Sequence, residues 1–252
     1  MIYPIKKMES LMNGYLDIHS HILPGIDDGS KDMNMTIQML SQAYEEGVRY
    51  MVATPHYYPG HKNVDYADAE QVFKEVSKKA AELFPDMELL LGNEIYYKDE
   101  VVKLLEMRMV HTLNGTRYVL VEFNVGWDYH KIAMAVRKLT MHGYYPILAH
   151  VERYVCLYKQ EELVEELIGM GAYIQINAET LLGGMFDRYK KYCLKLFAND
   201  QVHFLGSDCH NTDSRRAVME QAVKILKKRI DPEIVERVLV ENPMQFMKGD
   251  FI

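Results

Sequence analysis

The sequence of 252 residues has few cysteines, no long apolar run and no excess of basic residues. Its three cysteines, Cys156, Cys193 and Cys209, form an odd and scattered set without Cys-x-x-Cys spacing. This usage argues against a disulfide framework and is typical of a reducing compartment, so we expect free thiols. No segment approaches about 18 unbroken apolar residues, and residues 1–14 lack the apolar centre of a signal peptide. These absences predict a cytoplasmic protein that does not insert into a membrane.

Basic stripes, like-charge blocks and Pro/Gly/Ser-rich segments are also missing. The chain carries 36 acidic against 29 basic residues, a formal charge of −7. A protein that grips the nucleic-acid backbone needs clustered Lys and Arg, so we expect no nucleic-acid partner. With 48% hydrophobic residues, the chain is expected to form one folded unit, and its length suits a single α/β barrel.

Short β-rich apolar runs alternate with longer amphipathic segments, which predicts repeated β/α units with parallel strands. Strands are predicted at 15–19, 50–54, 88–92, 118–123, 145–150, 172–177 and 203–207. Helices are predicted at about 33–46, 65–84, 98–107, 129–141, 160–169, 187–198, 214–229 and 232–240. Gly47, Gly143 and Gly171 separate three of these helices from the following strands, as helix-terminating glycines do.

Seven strands predict a distorted (β/α)7 barrel that resembles a TIM barrel, in a single domain. An open doubly wound sheet would show much the same periodicity. The position of the polar residues favours the barrel, because they gather at one end of the strands. The domain is expected to span 15–252, after an N-terminal lead-in at 1–14.

Histidines and carboxylates follow the predicted strands at their carboxyl ends. They are His19, His21, His56, Glu94, Glu122, His150, Asp208 and His210, and Asp28 in the Asp-Asp-Gly turn adds a ninth. Parallel β/α folds place their active sites at this end of the strands. A lone histidine in such a loop is more often a hydrogen-bonding residue than a metal ligand. Ten histidines scattered at random would, however, rarely place five at successive strand ends.

The spacing within the set predicts how metal ions are shared. Side chains alternate along a strand, so His19 and His21 point to one side and can bind one ion together, and Asp208 and His210 are expected to repeat this geometry. Nine ligands exceed what one or two ions take from a protein, which predicts a trinuclear site. Asp17 shares the face of His19 and is expected to orient an imidazole without binding metal.

Two arginines are candidates for binding phosphate. Arg153 follows His150 by three residues and Arg215 follows His210 by five, so both can overhang the same mouth. Guanidinium groups bind phosphoryl oxygens through paired hydrogen bonds. Solvated surface arginines are the plain alternative for both, and Arg216 is a possible substitute for Arg215.

The runs LDIHSHILPGIDDG, ATPH, GNEIYY, VEF, LAHVERY and GSDCHN, with ENP near the C-terminus, resemble the polymerase-and-histidinol-phosphatase (PHP) superfamily. Within it, the chain is similar to the bacterial manganese-dependent protein-tyrosine phosphatases of capsule and exopolysaccharide gene clusters. The similarity covers about 15–242. The His-x-His pair alone would be weak evidence, whereas the full ordered series is specific.

The resemblance implies a PHP-type barrel of seven β/α units, with the nine residues named above as ligands of three divalent ions. Manganese is the implied metal, and iron or zinc suits the same ligands. Arg153 and Arg215 would bind the phosphate. A hydroxide that bridges two ions would attack phosphorus in line. The implied substrate is the phosphotyrosine tail of a membrane-associated tyrosine autokinase that regulates polysaccharide synthesis.

Other functions remain open from the sequence. A small-molecule phosphatase, such as a histidinol-phosphate phosphatase, would use the same metals. A DNA-processing phosphoesterase conflicts with the acidic balance, and a metal-stabilised module could bind the kinase tail without hydrolysing it. Cys209 and Arg215 also match the Cys-x5-Arg pattern of cysteine-dependent phosphatases, although the intervening residues lack the glycines of a phosphate-cradling loop.

Overall fold

The computed structural model describes residues 14–184 and 186–252, so the predicted lead-in at 1–14 lies, apart from Gly14, outside the described residues. The strands there are β1 Tyr15–Ser20, β2 Val48–Ala53, β3 His56–Tyr57, β4 Glu88–Leu91, β5 Glu94–Tyr96, β6 Tyr118–Glu122, β7 Tyr145–Leu148, β8 Tyr173–Asn177 and β9 Phe204–Gly206. The α-helices are α1 Met33–Glu45, α2 Tyr66–Leu83, α3 Val101–Glu106, α4 Tyr129–Met141, α5 Glu161–Gly169, α6 Arg188–Ala198, α7 Met219–Arg229, α8 Pro232–Glu236 and α9 Asn242–Lys248.

All strand pairs are parallel and form two sheets. The first has the order β1-β2-β4 and the second the order β3-β5-β6-β7-β8-β9. Two residues separate β2 from β3 and β4 from β5, so each pair is one strand interrupted near its carboxyl end. Pro55 lies in the first interruption, where its missing N–H cannot continue a ladder.

The end of β1 joins the two sheets. The backbone N–H of Asp208 donates to the carbonyl of His19 at 2.8 Å, and that of His21 donates to the carbonyl of Cys209 at 3.0 Å. These bonds place β1 beside the segment that follows β9. The strands therefore form one curled, barrel-like sheet in a single domain, as predicted.

Alternating side chains of the strands pack into two separate apolar layers. In β6, Tyr118 and Leu120 join the interior cluster, whereas Val119 and Val121 join the larger cluster beneath the helices. Phe246 of α9 packs in the interior cluster, with its ring centroid 5.4 Å from that of Tyr118. Apolar side chains thus fill the barrel, and polar side chains are left for the carboxyl ends of the strands.

The structure confirms all seven predicted strands and corrects some boundaries. The short strands β3 and β5 were not predicted, because two or three residues carry no usable alternation. The predicted helix 214–229 is wrong at its start: α7 begins at Met219, and the side-chain oxygen of Asn211 instead accepts from the backbone N–H of Arg215 in a loop. Helix α9 was missed. Among the described residues, no helix is both long and apolar enough to cross a membrane.

Replacing Gly206 with alanine is expected to destabilise the barrel. A Cβ atom on Gly206 would lie 2.7 Å from the Cβ of His19 and 2.8 Å from Nε2 of Gln175, inside van der Waals contact. We expect a loss of about 2 kcal/mol in the free energy of unfolding, as for other overpacked sites. Urea unfolding followed by circular dichroism measures it.

Gly169→Ala is the matched control, because no atom lies within 4 Å of a Cβ built there. Gly169 ends α5, where alanine favours the helix, so this variant should be as stable as the wild type or slightly more stable. Equal unfolding midpoints for the two variants would contradict the close packing of β9 against β1.

Candidate metal centre

The structure brings all nine predicted ligands together at the carboxyl ends of the strands. The donor atoms of seven of them form three adjacent groups, to which Glu94, His21 and His56 each contribute more than once, and His150 and Asp208 lie against these groups. Eight of the nine side chains are 18% exposed or less. Asp28 is the exception at 67% exposed, which leaves one side of the cluster open to solvent.

The first group contains the predicted histidine pair. Nε2 of His19 and Nε2 of His21 lie 3.1 Å apart and face each other. Oε2 of Glu94 is 3.2 Å and 3.3 Å from these two nitrogens, and Oδ1 of Asp208 is 3.5 Å from each. Two nitrogens and two carboxylate oxygens around one point are a donor set that suits a divalent ion.

The second group shares Glu94 with the first. Nε2 of His150 lies 2.9 Å from Oε1 of Glu94 and 3.5 Å from Oε1 of Glu122. Nδ1 of His56 lies 2.9 Å from Oε2 of Glu94. The carboxylate of Glu94 therefore belongs to both the first and the second group.

The third group is the most open. Oδ1 of Asp28 lies 3.5 Å from Nε2 of both His56 and His210. Nε2 of His210 is buried without a hydrogen-bond partner among the described residues, and the buried Oε2 of Glu94 makes no well-directed hydrogen bond to the imidazole nitrogens around it. Buried polar atoms are nearly always satisfied, so these two fit a site built to hold cations.

The charges of the cluster favour added positive charge. Burial alone would raise the pKa of Glu94, but His19 and His150 hold that pKa well below its usual range. Burial raises the pKa of Glu122, and the charge of Glu94 raises it further. Burial lowers the pKa of His210 to about 4, aided by the charge of His21, so its imidazole is neutral near pH 7.

Asp27 supports the cluster from outside and was not predicted to have a role. Its Oδ2 lies 2.7 Å from Nδ1 of His21 and accepts the backbone N–H of His56 at 2.9 Å. Burial opposes the charged form, yet the bond and charge of His21 lower the pKa of Asp27 to about 2. A carboxylate on Nδ1 fixes the proton there and leaves Nε2 free to bind a metal.

Strand β8 contributes two amides that sequence reasoning also missed. Oε1 of Gln175 accepts the backbone N–H of His150 at 2.8 Å and lies 3.3 Å from Nδ1 of His19. Nε2 of Gln175 donates to Asn177, which donates to Oδ2 of Asp208 at 2.8 Å. The sequence did contain a signal for these two residues. They alternate at the end of an otherwise apolar strand for which no ligand was predicted.

The two predicted arginines meet at Asp208. Nη2 of Arg153 donates to Oδ2 and Nη2 of Arg215 to Oδ1, each at 2.9 Å. Their side chains are 43% and 35% exposed, so both reach from the cluster into solvent. Arg216 instead lines a neighbouring cleft. The pairing with Asp208 places both guanidinium groups at the mouth, where they can bind an anion.

The expected extended geometry of Asp208 and His210 is wrong. Asp208 has φ 53°, in the left-handed region, and His150 likewise has φ 36°. Because of this turn, the side chain of Asp208 lies in the first group and that of His210 lies in the third. Non-glycine residues held in this region concentrate at functional sites, because the surrounding structure must stabilise them.

Asp17 and Cys209 have structural surroundings. Oδ1 of Asp17 accepts the backbone N–H groups of Ser207 at 2.8 Å and His19 at 3.3 Å, so this side chain orients the backbone and not, as expected, an imidazole. Cys209 is 1% exposed and belongs to the core beneath the helices. Burial raises the pKa of its thiol to about 12, which opposes a cysteine nucleophile.

Residues 15–248 match the family described as capsular polysaccharide synthesis, CpsB/CapC. The chain belongs to the CpsB/CapC family. This membership confirms the resemblance stated from the motifs, and it confirms the prediction that the chain is a metal-dependent phosphoric monoester hydrolase.

Members of the CpsB/CapC family and more distant proteins resemble the chain. The tyrosine-protein phosphatase CpsB of Streptococcus pneumoniae is 34% identical over 242 residues, covering 94% of this chain and all of the relative. A crystal structure described as YwqE from Bacillus subtilis and CpsB from S. pneumoniae, unique metal-dependent tyrosine phosphatases, has a TM-score of 0.87 at 30% identity and covers 94% of this chain and 96% of that one. A histidinol phosphate phosphatase from Lactococcus lactis, at 14% identity and TM-score 0.59, covers 85% of this chain and 93% of that one and shares the fold alone.

Replacing Asp27 with alanine is expected to weaken metal binding without removing a ligand. The imidazole of His21 would lose the 2.7 Å contact that orients it. Loss of such a partner usually costs about 10-fold to 100-fold in metal affinity. Competition with a metal-binding dye measures the change for manganese.

Asp128→Ala is the control for that experiment. Asp128 caps α4 through the backbone N–H of Lys131 and lies outside the cluster. Its loss should lower stability by about 1 kcal/mol and leave metal affinity unchanged. Unchanged affinity in both variants would rule out the orienting role of Asp27.

Proposed function

We propose that the chain hydrolyses phosphotyrosine on the tail of a membrane-associated tyrosine autokinase that regulates capsular or exopolysaccharide synthesis. The supporting observation is the convergence of nine nitrogen and oxygen ligands with two arginines at one mouth. Membership of the CpsB/CapC family supports the link to polysaccharide synthesis. The names of the relatives support tyrosine phosphate as the group removed.

The proposal includes three divalent ions, one for each group of donor atoms. His19, His21, Glu94 and Asp208 would hold the first ion, and Glu94, Glu122 and His150 the second. His56, whose two nitrogens face both the second and the third group, would join Asp28 and His210 around the third. Mixed histidine and carboxylate ligands suit manganese, and also iron or zinc. Bound ions would lower the pKa of water for attack on phosphorus and offset the charge of the phosphate.

The two arginines would position the phosphoryl group. Each guanidinium already donates one bond to Asp208, and its remaining N–H groups can bind phosphoryl oxygens beside the cluster. Asp208 keeps the two guanidinium groups close together, and the side-chain amide of Asn177 donates a hydrogen bond to Asp208. The arginines are thus ordered before substrate binds, which lowers the entropic cost of positioning it.

The leaving group imposes little demand on the protein. A phenol has a pKa near 10, so a tyrosinate can depart with weak acid assistance. A cleft of about 850 Å³ begins at Arg153 and has room for the peptide around the tyrosine. A histidinol-phosphate phosphatase would not need this space.

Phosphate release from a phosphotyrosine peptide and from histidinol phosphate, with chelator and then with manganese restored, tests the proposal. We expect release from the peptide, loss with chelator and recovery with manganese. Release from histidinol phosphate alone would overturn the substrate and retain the site. Activity that resists the chelator would overturn the metal mechanism, and tight binding of the peptide without any release would indicate a binding module.

Replacing Cys209 with serine is expected to leave most of the activity, because the buried thiol has a raised pKa and bonds no metal ligand through its side chain. Replacing Asp208 with asparagine should instead reduce kcat/KM at least 100-fold, since it removes a negative charge shared by two imidazoles and two arginines. Steady-state rates on the same peptide compare the two. Complete loss in the serine variant would restore the cysteine mechanism.

A further inference from the structure

The 850 Å³ cleft leads away from the metal centre. It lies between the loops that follow β7, β8 and β9, and it is lined by Arg153, Thr180 and Leu182 among others. Arg153 also bonds Asp208, so one end of the cleft opens onto the phosphate position. A peptide whose phosphotyrosine occupies the metal centre would therefore extend along this cleft.

A second groove of about 390 Å³ lies beside the cleft. We call it the aromatic-basic groove, and it is lined by Tyr158, Lys159, Glu161, Phe186, Arg188, Lys191, Tyr192 and Lys195. The ring of Tyr158 lies 5.5 Å from that of Tyr189, which lines the cleft. The two depressions thus share an aromatic boundary.

The aromatic-basic groove combines the exposed ring of Phe186 and the half-buried ring of Tyr158 with exposed cations. Nζ of Lys191 lies 5.6 Å from the ring centre of Phe186, and Cζ of Arg188 lies 5.7 Å from that of Tyr158. Phe186 is 84% exposed. Lys195 pairs with Glu161 at 3.0 Å, whereas in 14–184 and 186–252 no carboxylate lies within ion-pair distance of Lys159, Arg188 or Lys191.

The charge of the groove contrasts with its surroundings. The chain as a whole carries −7, and the neighbouring cleft is lined by Glu179, Asp187 and Asp213. Arg153 and Arg216 also line the cleft, but Arg153 is bonded to Asp208 and the carboxylates outnumber the arginines, which disfavours a second anion there. The aromatic-basic groove lies nearby and would attract a second anion, and its rings would add contact area for an aromatic group.

We propose that the aromatic-basic groove binds a second phosphotyrosine of the same substrate chain while the first is hydrolysed. Its phenyl ring would contact Tyr158 and Phe186, and its phosphate would pair with Arg188 and Lys191. This inference rests on the proposed phosphotyrosine activity and adds a preference for substrates phosphorylated more than once. The chemistry fits because such a side chain needs both a ring contact and cations.

The test compares two peptides that carry one hydrolysable phosphotyrosine, with either tyrosine or a non-hydrolysable phosphotyrosine analogue at a second position. Several spacings between the two positions are used, because the span from Arg153 to Arg188 follows the cleft. In the wild type, the second phosphate should lower KM about 10-fold, equal to about 1.4 kcal/mol, with kcat unchanged. Raised salt should reduce this advantage.

The charge-reversed double variant Arg188→Glu, Lys191→Glu should lose the advantage. Both residues are exposed and lie in the first turn of α6, where glutamate favours the helix, so folding is expected to persist. The double variant Lys78→Glu, Lys79→Glu, at two exposed lysines of α2, changes the net charge by the same amount, so it is the matched control and should keep the advantage. All variants should hydrolyse phenyl phosphate with the wild-type kcat/KM.

Three outcomes would overturn the inference. They are equal KM values for the two peptides at every spacing, an unchanged advantage in the double variant, and an equal advantage when glutamate replaces the phosphotyrosine analogue. In each case, release from the singly phosphorylated peptide would show that the proposed function itself stands. No release from any peptide would instead contradict the proposed function.

Discussion

Burial of Glu94 among histidines is the constraint on which the rest of the site depends. This side chain is 1% exposed, and its two oxygens lie within 3.3 Å of His19, His21, His56 and His150. An ionised carboxylate is costly to bury unless opposite charge surrounds it. The four imidazoles therefore converge on it, and their convergence creates adjacent positions for divalent ions.

The barrel holds the histidines around Glu94 rigidly in place. Backbone hydrogen bonds between β1 and the segment after β9 hold His19, His21 and Asp208 close together. Gly206 approaches His19 so closely that no side chain fits at position 206. The side-chain amides of Gln175 and Asn177 link Asp208 to His150, which follows β7. Fixed donors bind ions tightly because little order is lost on binding.

The same loops that carry the candidate ligands also line the cleft and the aromatic-basic groove. The loop after β7 carries His150, then Arg153 at the mouth and Tyr158 in the aromatic-basic groove. One segment thus carries a candidate ligand, a candidate phosphate-binding arginine and part of the aromatic-basic groove. Cys209 illustrates the opposite case, because the left-handed turn at Asp208 leaves its thiol in the core despite its position between two ligands.

The sequence by itself determined the β/α alternation and all nine candidate ligands, because parallel strands bring their carboxyl ends to one edge wherever they pair. It also indicated Arg153 and Arg215, which lie a few residues beyond ligands. Only the tertiary structure decided which ligands group together, that Glu94 is shared, and that Asp27, Gln175 and Asn177 orient the cluster. These features depend on sheet curvature and on left-handed turns at His150 and Asp208, which arise from contacts between segments far apart in the chain and leave no local pattern.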